Sequence, residues 1–228
     1  MTRRNLVPTI AELLRERVFA EPDGERIGSL RELAGAFEVG IVTIQQAARV
    51  LEHEGLLEVR RGLNGGYFGR RPDAASLERS LAAWMRTRPN SYAEALDITS
   101  LLFIQFCGAA ATKDAPEERV QLTNLLETLS EYNSESDIGL FEATFINLLF
   151  RMVDRPIFEL LTRVNLRFAN AGGGITVNQS SGGIARWAEA RRRIIEAILA
   201  HDEQLARFEA DRGSRKIVME AVNSFDGA

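Results

Sequence analysis

SLRELAGAFEVGIVTIQQAARVLEHEGLLEVRRGLNGGYFGRR, residues 29–71, is the stretch whose reading decides the fold. Its middle repeats at helical spacing: Ile44, Ala47, Ala48 and Leu51 fall at i, i+3, i+4 and i+7. A helix from about Val42 to His53 is therefore predicted, with Thr43, Gln45, Gln46, Arg49 and Glu52 facing outward. Just upstream, Ser29 followed three residues later by Glu32 spells a capping box. It opens a short helix whose apolar face is Leu30, Leu33, Ala34 and Phe37. EVG makes a tight turn around Gly40 between the two helices, and Gly55 stops the second. LLEVR then alternates as a strand does, the glycine–asparagine centre turns the chain, and GYFGR returns.

Working outward, Ile10, Leu13, Leu14 and Val18 mark an earlier helix, with Pro8 in its first turn. EPDGERIG reads as the loop that follows it. The order is helix, helix, turn, helix, then a two-stranded wing, which is a winged helix-turn-helix over residues 1–72. Four arginines, Arg60, Arg61, Arg70 and Arg71, are assigned to the open end of the hairpin, whose tip is Leu63-Asn64-Gly65. Glycine permits positive φ at such a tip, and arginine supplies two-point contacts to phosphate or base. A nucleotide-binding loop is a poor rival, because no GKS or GKT is present and a strand follows rather than a helix. A plain solvated loop is the remaining alternative.

Bulk numbers set the frame. The 228 residues have room for one large or two small domains, and 45% apolar content suffices for a core. Net charge is −4, shared unevenly. Residues 1–72 carry 11 Arg against 10 Asp and Glu; the rest carries 17 Lys and Arg against 22 acids. The N-terminal part is the better partner for a polyanion. A single cysteine, Cys107, excludes an internal disulfide and a cysteine-rich zinc site, and fits a reducing compartment. The N-terminus lacks the pattern of a signal peptide, and no window approaches 18 uncharged apolar residues. The expectation is a cytoplasmic protein with no membrane partner.

After a short linker, residues 73–228 read as all helix. Expected spans are 75–87, 91–111, 116–133, 138–153, 157–170, 184–200 and 202–223. Leu122, Leu125, Leu126 and Leu129 form one stripe, and Ile157, Leu160, Leu161 and Val164 another. Pro156 restarts the chain between two helices. NAGGGITVNQSSGG, residues 170–183, is the one long connection, either a helix-to-helix crossover or a phosphate cradle. The fold class is mainly α, a winged helix-turn-helix followed by an all-α helical bundle.

REL(A), V, T(I), A, LE.EGL and VRRG..GG in this order, followed by a helical domain of this length, resemble the GntR superfamily, and within it the FadR branch, whose C-terminal effector domain is called FCD. The resemblance implies a homodimeric transcription factor that senses a small molecule and grips or releases a double-stranded DNA operator. Residue by residue, Arg31 matches the arginine of the second helix that usually meets DNA. Arg61 and Gly62 match wing positions that enter the minor groove, with Asn64 at the tip between the strands. The recognition turn departs from the family's Ser/Thr-Arg-Thr-x-Val-Arg: here it is Gly40-Ile41-Val42-Thr43-Ile44-Gln45. Outward there remain Thr43, Gln45, Gln46 and Arg49. Glutamine pairs two-point with adenine, so an A·T-leaning site is one reading; contacts to phosphate or water are the other.

Many FCD domains hold a divalent metal with one aspartate and three histidines. At those positions this chain has Glu142, Ile146 and Arg191, with the last falling near Gly213. The two histidines, His53 and His201, form no metal-ligand cluster, so neither a metal nor another cofactor is expected. Arg191 sits among Trp187, Ile194, Ile195 and Ile198, and Glu142 among Phe145, Ile146 and Leu149, at helical spacings. Both charges thus point toward the core, where an unpaired charge is costly. Either Arg191 receives an anionic effector and Glu142 holds it in the empty protein, or the two are an internal ion pair or a snorkelling arginine. On helix 91–111, Thr99 and Phe103 stand where the family shows polar residues, beside Leu101, Leu102, Ile104 and Phe106. That favours an apolar pocket for a lipid-like or aromatic acid, with a collapsed pocket as the alternative.

Three functions follow. The first is an effector-controlled DNA-binding regulator, in the repressor sense. The second, an enzyme, is disfavoured: His53, His201 and Cys107 assemble no nucleophilic set. The third is a DNA-binding or interaction module whose effector pocket has decayed or collapsed.

Overall fold

The structure is a computed structural model, and it describes residues 6–62, 64–88, 91–171 and 183–213. The chain divides into two compact units, Met1–Leu77 and Glu78–Ala228.

The first unit packs three helices against a small sheet. The helices are α1 (Leu6–Ala20), α2 (Leu30–Ala36) and α3 (Ile41–His53); the strands are β1 (Arg26–Gly28), β2 (Leu57–Arg60) and β3 (Gly66–Gly69). Ser29 caps α2 by accepting from the Glu32 N–H, and the Glu32 carboxylate returns to the Ser29 N–H, the reciprocal box the sequence spells. Helix α3 turns Ile44, Ala47, Ala48 and Leu51 inward, onto Leu14, Val18, Leu33, Leu57 and Tyr67. Burying Ile44 and Leu51 contributes about 1.5–3 kcal/mol each, which fixes the rotation of α3 and so which residues it shows to solvent. On α1, Ala11 is buried and Leu13 is 41% exposed, so the inward stripe runs through Ile10, Ala11, Leu14 and Val18 rather than through Leu13.

The sheet is antiparallel in the order β1-β3-β2. Strands β2 and β3 are the expected hairpin, paired from Leu57↔Gly69 to Arg60↔Gly66. Strand β1 corrects the reading of EPDGERIG as loop: Arg26 pairs with Phe68 and Gly28 with Tyr67 across a register shift. Three residues interrupted by a bulge leave no alternating pattern to read.

The second unit is helical. Helices α4 (Ala74–Met85), α5 (Ser91–Ala111), α6 (Pro116–Glu127), α7 (Glu135–Val153), α8 (Pro156–Ala171) and α9 (Gly183–Leu199) precede a helical stretch over 203–213. The span expected at 116–133 is broken: α6 ends at Glu127 and a separate 3-10 turn covers Leu129–Glu131. Ser134 caps α7 in a second box with Asp137, so that helix begins three residues before the apolar pattern suggested. Of the stripe on α8, Val164 is buried, Leu160 and Leu161 are half-buried, and Ile157 is 70% exposed. The core gathers Phe106, Phe141, Phe145, Leu122, Leu129 and Ile195. Arg119 ties helix ends together, donating to the carbonyls of Ile198 at 2.9 Å and Ala111 at 3.2 Å, and meeting His201 Nδ1 at 3.0 Å.

Within α5, Tyr92–Ala111 is long and apolar enough to cross a membrane by length and composition, which the sequence reading did not anticipate. Half of that window is buried inside the fold, as in the core helix of a bundle. The connection at 170–183 falls almost wholly outside the described residues, as do Leu63 and the helix expected beyond 213.

Candidate nucleic-acid interface and a buried arginine

The outward face of α3 follows from the inward one. With Ile44, Ala47, Ala48 and Leu51 fixed in the core, Val42, Gln45, Gln46 and Arg49 line up at i, i+3, i+4 and i+7 on the exposed side. Thr43, on the flank, is half-buried. Gly40 is the N-cap and offers no side-chain cap.

Among the described residues of this unit, Arg15, Arg26, Arg60 and Arg70 have carboxylate partners. Arg15 bonds Glu12 and Glu54, and Arg26 bonds Glu32 at 3.0 Å. The four wing arginines separate, correcting their joint assignment to one end of the hairpin. Arg60 and Arg61 stand at its tip side, and Arg70 and Arg71 at the opposite end, because Arg60 pairs with Gly66 and Gly69 with Leu57. Glu58 lies between Arg60 and Arg70 and bonds both; those two hydrogen bonds hold its carboxyl below the usual range. Arg60 also lies over the Phe68 ring, 4.1 Å from its centroid. Arg71 is structural. It donates to the carbonyls of Val18 at 3.0 Å and Glu21 at 2.6 Å, closing the end of α1.

Arg31, Arg49 and Arg61 are different, as is Arg17 on α1: each is exposed, and among the described residues none makes an ion pair or hydrogen bond. Asn64 is exposed at the tip. Gly62 has φ +111°, and a side chain at Gly65 would overlap the Arg60 carbonyl oxygen, so the turn's tightness depends on glycine at both places. An exposed amide-and-arginine helix face, a glycine-built turn and the uncommitted guanidinium groups of Arg31, Arg49 and Arg61 are features suited to a polyanion.

The second arrangement lies in the helical unit. Phe103 on α5, Glu142 on α7 and Arg191 on α9 are brought together. Arg191 Nε donates to Glu142 Oε1 at 2.7 Å, and the Trp187 indole N–H donates to the same oxygen at 2.6 Å. The Arg191 guanidinium carbon stands 5.2 Å from the Phe103 ring centroid. The arginine side chain is 7% exposed, whereas Glu142 is 33% exposed and reaches water. Among the described residues Arg191 Nη1 is buried without a hydrogen-bond partner. A Cβ at Gly213 would stand 3.8 Å from that nitrogen, so the last helical stretch closes over it. Cys107 lies within electrostatic reach of both charges; burial pushes its thiol up, out of the thiolate range.

Ile146 is half-buried against the core one turn along α7 from Glu142. Thr99 spends its hydroxyl on the Ala95 carbonyl at 2.7 Å, within its own helix. Among the described residues no group of three or more His, Cys, Asp and Glu is placed to hold a metal ion. The pattern that pointed to Arg191 did not reveal the Trp187 hydrogen bond or the empty Nη1, since both depend on how three helices meet.

The chain is similar to the solved structure of Streptococcus agalactiae GntR, with 20% identity and a TM-score of 0.61, covering 94% of this chain and 99% of that one. That likeness shows the fold. It is a winged helix-turn-helix followed by a helical domain. Weaker likenesses are to E. coli McbR/YncC, at 16% identity and TM-score 0.46 over 99% of this chain and 100% of that one. Another is to a GntR-family transcriptional regulator from Pseudomonas syringae pv. tomato, at 15% and 0.39 over 100% and 90%. No family model and no curated protein matches the chain.

Proposed function

We propose that this chain is a DNA-binding transcriptional regulator of the GntR type, FadR branch, acting as a repressor whose operator affinity is set by a small anionic effector. The observation that carries the DNA half is the outward face of α3, Gln45, Gln46 and Arg49, together with Arg31 and Arg61, none of the three arginines being neutralised by another of the described residues. In a helix-turn-helix the second helix enters the major groove and a wing follows the backbone. Gln45, Gln46 and Arg49 are on that second helix, Arg61 is in the wing and Arg31 is on the preceding helix, which supports the reading. On this reading residues 1–72 bind DNA and 73–228 bind effector and pair two copies, giving a homodimer on a two-fold operator.

The effector half rests on Arg191. A buried guanidinium with one nitrogen satisfied by Glu142 and another by nothing is poised to take an acceptor. Phe103 and Ile146 give the surroundings an apolar character suited to the hydrocarbon part of an organic acid. The Glu142 pair also supports a second reading, a DNA-binding module whose effector pocket is filled by its own side chains. Neither reading asks for catalysis, a metal or a membrane.

The test is binding of the purified protein to its own upstream DNA against excess unrelated duplex. A complex that survives competition supports the regulator. Equal loss to both DNAs contradicts sequence-specific control. Thermal unfolding across a panel of carboxylic acids then separates the two readings, because a ligand of the folded state raises its stability.

A further inference from the structure

Ile41 and Val42 form the first turn of α3, and neither serves the core: they are 45% and 64% exposed, while Ile44 is fully buried. A single exposed aliphatic is ordinary on any protein. These two are adjacent, β-branched and placed where local physics argues against them. β-Branched residues are poorer helix formers than the polar straight-chain alternatives. The N-cap before them, Gly40, gives no side-chain hydrogen bond, although its φ of −67° suits any residue and nothing lies within 4 Å of where a Cβ would be. Neither backbone nor space therefore requires this start, and a serine followed by polar residues would make a better one. What Gly40-Ile41-Val42 does provide is an unobstructed apolar point at the end of the helix that faces base edges, continuous with Gln45, Gln46 and Arg49 one and two turns on.

We propose that Val42, assisted by Ile41, reads the 5-methyl group of thymine in the major groove. The inference rests on the DNA-binding reading above and names the base that this face selects. Thymine alone presents a methyl there, and the adenine across the pair presents the N6 and N7 edge that a glutamine amide meets two-point. Guanine, by contrast, is read by arginine, and in this first turn the apolar pair stands instead. Arg31, Arg49 and Arg61, none of which has a partner among the described residues, supply the charge that holds a duplex against an otherwise neutral, partly apolar helix end.

The test begins with sites selected by the full-length protein from random duplex DNA. Each thymine of the enriched half-site is then replaced by deoxyuridine, which keeps pairing and removes only the methyl. For the unsubstituted protein, one or two positions are expected to bind about fourfold more weakly per methyl removed. In Val42→Ala, an exposed position where alanine suits the helix, the same replacements have little or no effect, the signature of a coupled pair. Val50→Ala, exposed at the other end of α3, keeps the full deoxyuridine effect. Equal sensitivity in Val42→Ala and the unsubstituted protein, or none in either, overturns the proposal while leaving DNA binding intact. Enriched sites without a required thymine overturn it likewise. Failure to enrich any site overturns the DNA-binding reading and this inference with it.

Discussion

Arg191 donates from Nε to Glu142 at 2.7 Å, and the same guanidinium holds Nη1 buried and, among the described residues, without a partner. Half of this interaction is a satisfied ion pair and half is an uncompensated donor. Removing Glu142 leaves a buried charge alone, whereas removing Arg191 leaves a carboxylate that still reaches water and the Trp187 indole. Glu142→Ala is therefore expected to lose about 3 kcal/mol and Arg191→Met distinctly less, in urea unfolding. Equal losses would contradict the asymmetry.

Arg71 and Arg70 are neighbours with opposite roles. Arg71 closes the carbonyl end of α1, while Arg70 shares the exposed Glu58 with Arg60. Arg71→Ala should cost about 2 kcal/mol, seen as faster amide exchange across α1, because charge-assisted bonds to carbonyls disappear. Arg70→Ala should change stability by less than about 1 kcal/mol.

Gly65 is confined by backbone. A Cβ there would overlap the Arg60 carbonyl oxygen, so Gly65→Ala must open the turn. A destabilisation of roughly 1–3 kcal/mol, with shifted amide resonances at 60–66, is expected.

Glu32 and Glu58 are both held below their ordinary value of 4.5, Glu32 by the Ser29 N–H and then by Arg26, Glu58 by Arg60 and Arg70. Since their folded values are depressed, the stability they add is full above 4.5 and is lost as pH falls through the folded values. Glu32 is exposed and Glu58 half-buried at the surface, so the effect is small. Glu32→Gln should flatten the stability profile of the N-terminal unit below that pH; an unchanged acid limb would contradict the linkage.

The Ser29 cap of α2 and the inward face of α3 were legible in the sequence because capping and helical periodicity are local. Helix α3 nonetheless starts at Ile41, one residue before the expected Val42, and Thr43 is half-buried rather than outward. Strand β1 was not legible, because three residues joined to Phe68 and Tyr67 by non-local pairing leave no pattern of their own. Arg60 and Arg61 were misplaced, since the turn begins directly after them. Arg71 does stand at the hairpin's open end, with a structural role that was not legible for a related reason. Its acceptors are carbonyls at Val18 and Glu21, about fifty residues upstream, and carbonyls carry no signature. The inward direction of Glu142 and Arg191 was readable from i±3 and i±4 neighbours. That Trp187 shares the carboxylate, and that Nη1 is left over, emerges only when α7 and α9 pack together.

The central claim is that three uncommitted arginines hold DNA, and a salt series tests it directly. Binding of the unsubstituted protein to its upstream DNA should fall linearly in log K against log salt. Replacing Arg31, Arg49 and Arg61 together by alanine should make that slope shallower by about 0.9 for each phosphate no longer neutralised. A slope left unchanged by all three substitutions would place the DNA-binding charge elsewhere and contradict the account.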